Sequence, residues 1–139
     1  METSRRIFVV GVILMVIALG TLAWASGQAT RVPLTALKPH PNATGTAFIG
    51  GQSITIEAKG LKSNSVYTVW FVNMVPKKSV AGAGSAPHAF KTDSEGNGFY
   101  NAPLNKSPFG DWAMIMIMLH PTGDAKDMKN MVGALSAKL

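Results

Sequence analysis

Residues 111–121 read DWAMIMIMLHP, and one parity of that stretch carries Trp112, Met114, Met116, Met118 and His120. Alternate residues of a β-strand share a face, with Cα atoms roughly 6.5–7 Å apart. Flexible Met side chains at that spacing can bring two thioether sulfurs onto one ion. Thioethers and imidazole are the soft and borderline ligands that select Cu(I). The metal set defined by this pattern is Met116, Met118 and His120, with Trp112 or Trp70 lying over the ion through cation–π attraction. Met114 is a possible accessory on the same parity. Met74 and His88, at the two ends of a long loop, are further accessories if that loop folds over.

The opposite parity, Ala113, Ile115, Ile117 and Leu119, is apolar as well. A half-exposed antiparallel strand needs only one apolar face. Met also fills gaps in cores and makes favourable contacts with aromatic rings, so the plainer reading of the stripe is packing. A strand that is apolar on both faces is either covered twice or leaves a patch that marks an interaction surface. The pattern therefore favours core or interface over metal. No cofactor is expected, Cu(I) being the alternative, and the partner expected is a protein or a second copy meeting an apolar sheet face.

Other chemistry-bearing residues are sparse. Asp93, Glu95 and Asn97 place oxygens at alternate positions, as a calcium loop begins. The distal acidic ligand is missing, because the chain there reads Pro103-Leu104-Asn105, and a hairpin turn is favoured. Residues 81–85 are glycine-rich but lack the Lys-Ser/Thr and the helix that a phosphate cradle requires. Ser79 or Ser85 with His88 and Asp93 can be drawn as a hydrolytic triad, yet no nucleophile elbow surrounds either serine. The chain is read as a non-enzyme, a small hydrolase around His88 being the weakest alternative. With no cysteine, thiolate metal sites and disulfides are excluded. The formal charge of +6 comes from scattered residues, with Lys77-Lys78 the longest basic run, so no nucleic-acid surface is expected.

The elements that must position these residues begin after an N-terminal leader. METSRR supplies a basic start, residues 7–24 are uncharged, and Ala23-Trp24-Ala25 is a small-x-small cleavage site. That layout is a secretory signal peptide. Its apolar run is also long enough to serve as an uncleaved membrane anchor. Ser4-Arg5-Arg6-Ile7-Phe8 is similar to a twin-arginine signal, although ordinary unfolded export is favoured. The expected address is a bacterial periplasm or cell surface. Residues 1–25 form the signal helix, 26–42 a tether marked by Pro33, Pro39 and Pro41, and 43–139 one domain.

In that domain, strand-like runs cover 44–49, 53–58, 66–72, 88–92, 98–102, the Met-rich stretch and 131–139. The spacing predicts a long loop over 73–87 and a short helical turn over 124–130. Short strands separated by turn signals predict an all-β fold, a Greek-key (Ig-like) β-sandwich of about seven strands. Two phrases strengthen this. Gly60-Leu61-x-x-Asn64-x-Val66-Tyr67-x-Val69-Trp70 and Phe90-x-Thr92-Asp93-x-x-Gly96-Asn97-Gly98 resemble hairpins of secreted Greek-key modules. Chordin-type (CHRD) domains and the extracytoplasmic sandwich of anti-sigma factors are of this kind. The resemblance implies a fold and carries no site residue with it.

Overall fold

In the sequence SITIEAK, Ile54, Ile56 and Ala58 alternate with polar neighbours, and the same period of two recurs along the chain. The computed structural model describes residues 29–139, so the expected signal helix of residues 1–25 lies outside the described residues. Nine strands are present: β1 (Thr30–Ala36), β2 (Thr44–Ile49), β3 (Ser53–Lys59), β4 (Val66–Asn73), β5 (Ser79–Gly82), β6 (Ala89–Lys91), β7 (Gly98–Pro103), β8 (Met114–His120) and β9 (Val132–Lys138). Every pairing is antiparallel, in the order β5-β4-β8-β9-β1-β2-β3-β7, with β6 also on β4. The chain is thus all-β, and no helix occurs among the described residues.

The sheet curls until its far strands share one core. Phe90 of β6 lies 6.1 Å from Tyr100 of β7, ring centre to ring centre. The Tyr100 hydroxyl donates to the carbonyl of Ala83, just after β5. Inside lie Ile54 and Ile56, Tyr67 and Val69, Ile115 and Ile117, and Leu135, all fully buried. Each such aliphatic side chain contributes about 1.5–3 kcal/mol by leaving water.

Three expectations need correction. The segment read as a tether contains β1, whose Val32 and Leu34 are buried. Pro33 hides this strand from a sequence reading, since proline is confined to ladder positions that need no N–H. Here the ladder to β9 begins only beyond it, at Thr35. The segment read as one loop contains β5, which pairs with β4 from Trp70 to Asn73. Together these raise the strand count from about seven to nine. Residues 124–130 form turns instead of a helical turn: the Asp124 carboxylate accepts from Lys126 N–H, and that of Asp127 accepts from Lys129 N–H and the Asn130 side chain. Such local bonds compete with helix formation.

β9 also departs from simple alternation. Ile117 pairs with Leu135 while Met118 pairs with Gly133, so Ala134 is an extra residue in the ladder. This bulge buries both Ala134 and Leu135.

At one end of the core, His40 Nε2 lies 3.0 Å from the Tyr67 hydroxyl, and Lys62 N–H donates to that hydroxyl. Burial holds His40 below its ordinary value of 6.5. As pH falls, the unfolded chain therefore takes up this proton before the folded one. Stability is full above about pH 6.5 and declines as pH drops toward the lower folded value. Urea denaturation at a series of pH values should show this decline, and His40→Gln should flatten it in the same window. Gly96 adopts a φ of 80°. A Cβ there would lie 2.2 Å from the Leu61 carbonyl oxygen, whereas Gly123 (φ 78°) has open space. Gly96→Ala should cost at least about 2 kcal/mol in thermal denaturation, beyond the roughly 1–2 kcal/mol of left-handed backbone expected for Gly123→Ala.

Candidate functional site

The alternation in β8 sends Ile115, Ile117 and Leu119 inward, where all three are buried. Met114, Met116 and Met118 must then face outward, and each is only half-buried. Across the sheet, Met116 stands beside Trp70 of β4, Met118 beside Thr68, and Met114 beside Val72. In the Trp70–Met116 and Thr68–Met118 rows the next strands out carry small residues. Gly82 of β5 flanks Trp70, Ser136 of β9 flanks Met116, and Gly133 flanks Met118.

Loops from both ends of the strands reach back over this surface. The chain after β4 brings Met74, Lys78 and Val80, and the chain between β8 and β9 brings Met128 and Met131. With Trp70, Val72, Met116 and Met118 they line an open groove of about 290 Å³. Met74 is 58% exposed, Val80 49% and Met128 45%. Five thioethers and one indole thus line one groove.

The expected ligand set is only partly assembled here. Met116, Met118 and Met74 line the groove, and Met114 lies one row away on the same face. His120 shares their parity but is 1% exposed and does not line the groove. Its Nε2 is 2.6 Å from Thr68 Oγ1, and its Nδ1 has no partner among the described residues. Trp112 precedes β8 and turns to the core, stacking on Phe71 at 6.4 Å, so the indole on the Met face is that of Trp70. Sequence reasoning missed Met128 and Met131. Their signal was a pair of thioethers three residues apart in the segment that returns from β8.

Trp70 is held from two sides. Its Nε1–H donates to Thr68 Oγ1 at 2.7 Å, which ties the indole to the buried His120. His88 packs against the indole at 5.5 Å between ring centres. That ring lies directly on Gly82: a Cβ on Gly82 would fall 2.1 Å from His88 Cδ2. His88 adopts a φ of 60° and its Nδ1 is 3.3 Å from the Ala83 carbonyl.

The residues of the drawn triad do not form one. No hydrogen bond among the described residues links the side chain of Ser79, Ser85 or Asp93 to His88. The Asp93 carboxylate is occupied by its own turn, accepting from the N–H groups of Glu95 and Asn97 and from the Asn97 amide. These bonds, led by that from Asn97 N–H, hold its pKa below the ordinary carboxylate value. The same oxygens were the first donors of the calcium pattern.

Compared with known proteins, the chain matches no family model, no curated protein and no solved structure.

Thr68 is the testable joint of this site. Thr68→Val leaves both His120 Nε2 and Trp70 Nε1 without their partner, at about 1–3 kcal/mol for a buried unsatisfied polar group. Chemical denaturation should show that loss, and the emission of Trp70 should shift as the ring loosens.

Proposed function

We propose that the protein is an exported, non-enzymatic binding module of a bacterial periplasm or cell surface, whose working face is the outer side of β4 and β8. The observation that carries this reading is the apolar groove itself. A sheet core is already complete on the Ile side of β8, so the Met side has no structural need to be apolar. An apolar, partly uncovered surface of this kind marks an interaction site, and Met-lined surfaces adapt to varied partners. A protein partner or a second copy of the chain is the occupant this reading expects.

A Greek-key sandwich is the architecture that suits this role. It is supported by β1, which ladders to β2 along most of its length and to β9 at its end, as a strand does where it passes between two layers. The leader of residues 1–25 supports export, and the uncharged run of residues 7–24 would act as an anchor if it is retained.

The test is light scattering and chemical crosslinking of the full-length chain at micromolar concentration, with Val80→Glu and Met128→Glu beside it. Association that both charges abolish, with an unchanged circular dichroism spectrum, is the expected result. Association that persists through both substitutions would move the interface elsewhere.

A further inference from the structure

We infer that the groove on the outer face of β4 and β8 binds a soft monovalent cation, Cu(I), through thioether sulfurs alone. This rests on the reading of that face as the working surface and names what it holds. The side chains of β8 are sorted by type. Every Ile and Leu of β8 points inward, and every outward position from 114 to 118 is Met. A surface needing only apolar contact would be served as well by branched residues, which also suit strands better. Instead, thioethers occupy the outward positions and appear again at 74, 128 and 131, from two loops at opposite ends of the strands.

The groove lining contains no carboxylate, no imidazole and no thiolate, and so no donor that favours Zn(II), Ca(II) or Cu(II) over a soft ion. Lys78 is the one charged lining residue. It is exposed, and its long side chain can keep the ammonium in water.

The Trp70 indole stands beside Met116, its Nε1–H is fixed to Thr68, and His88 packs against it. A ring held in this way offers an oriented π surface at the groove, which favours a desolvated cation. Thr68, His120 and His88 are then positioning residues for the ring. This replaces the Met116, Met118 and His120 set with one in which Met116 and Met118 are joined by sulfurs from the loops. Thioethers do not titrate, so affinity should stay flat from pH 5 to 8, where a histidine ligand would lose the ion to protons.

The experiment is a titration of the full-length chain with Ag(I), an air-stable ion of the same soft character. Cu(I) under ascorbate, in competition with a colorimetric chelator, runs in parallel. The readouts are Trp fluorescence and the ¹³C signals of the Met ε-methyl groups. The expected result is one equivalent bound, with shifts in the methyls of Met116, Met118 and at least one of Met74, Met128 and Met131. No response to Zn(II) and no change in affinity across the pH range should accompany it. Met116→Leu/Met118→Leu, a nearly volume-conserving pair, should weaken binding at least about tenfold, and Met128→Leu serves as the milder variant in a loop.

Methyl signals that ignore Ag(I), or Leu variants that bind as tightly as the original, would overturn the metal site. An affinity that collapses at acid pH would overturn the all-thioether ligand set. The two readings fail separately. The Leu variants keep the face apolar, so association that survives in them without metal binding leaves only the docking surface. Metal binding in a chain whose association ignores Val80→Glu and Met128→Glu leaves only the ion.

Discussion

The structure depends on what a strand in mid-sheet must do with its two faces. β8 is flanked by β4 on one side and β9 on the other, so its backbone is satisfied by both neighbours and its side chains have only two directions. Ile115, Ile117 and Leu119 take the enclosed side with the aliphatic residues of β3 and β9. The Met residues are left with the other side, where Met116 and Met118 line the groove. A one-residue slip in register would exchange the two sets, and the full β4 ladder, from Val66–His120 to Val72–Met114, opposes such a slip.

The outer face is organised by polar bonds as well as by apolar side chains. Thr68 lies at its centre, joining the Trp70 indole to a histidine that water hardly reaches. Small residues then decide what can approach. Gly82 lets His88 approach the sheet closely, and Gly133 leaves room for Leu37, whose Cδ1 would be 2.7 Å from an added Cβ. A face built in this way keeps its aromatic ring fixed while its thioethers remain flexible. Rigid and adaptable groups are thus set side by side in one groove.

Much of the fold was legible because its signals are local. The alternation of Ile54 and Ile56, the β-branched and aromatic run of β4, and the Asp93–Asn97 turn between β6 and β7 each need only a few neighbouring residues to be read. β1 and β5 were hidden for different reasons. Pro33 breaks the usual grammar of a strand, and the Gly/Ala composition around β5 looks like loop until β4 is there to pair with it. The groove was legible only in part. Met116 and Met118 announce themselves by spacing, but the choice of Trp70 over Trp112 depends on where β8 begins. The arrival of Met128 and Met131 depends on how the chain returns from β8 to β9. His120 kept the expected parity, yet its partner, Thr68, lies on another strand fifty-two residues away.

The ladder between β1 and β9 has a further consequence, in the order of events as the chain is made. Thr35 and Ala36 pair with Ser136 and Leu135, so a strand near the start of the described chain must wait for one of its last segments. Until Val132–Lys138 has left the ribosome, β1, β2 and β3 can form a meander, but the β9 edge of β1 stays open and β8 lacks one neighbour. Contacts of such sequence separation are slow to close. If the chain leaves the cytoplasm unfolded, as proposed above, that delay keeps the sheet from locking shut before β9 has been made.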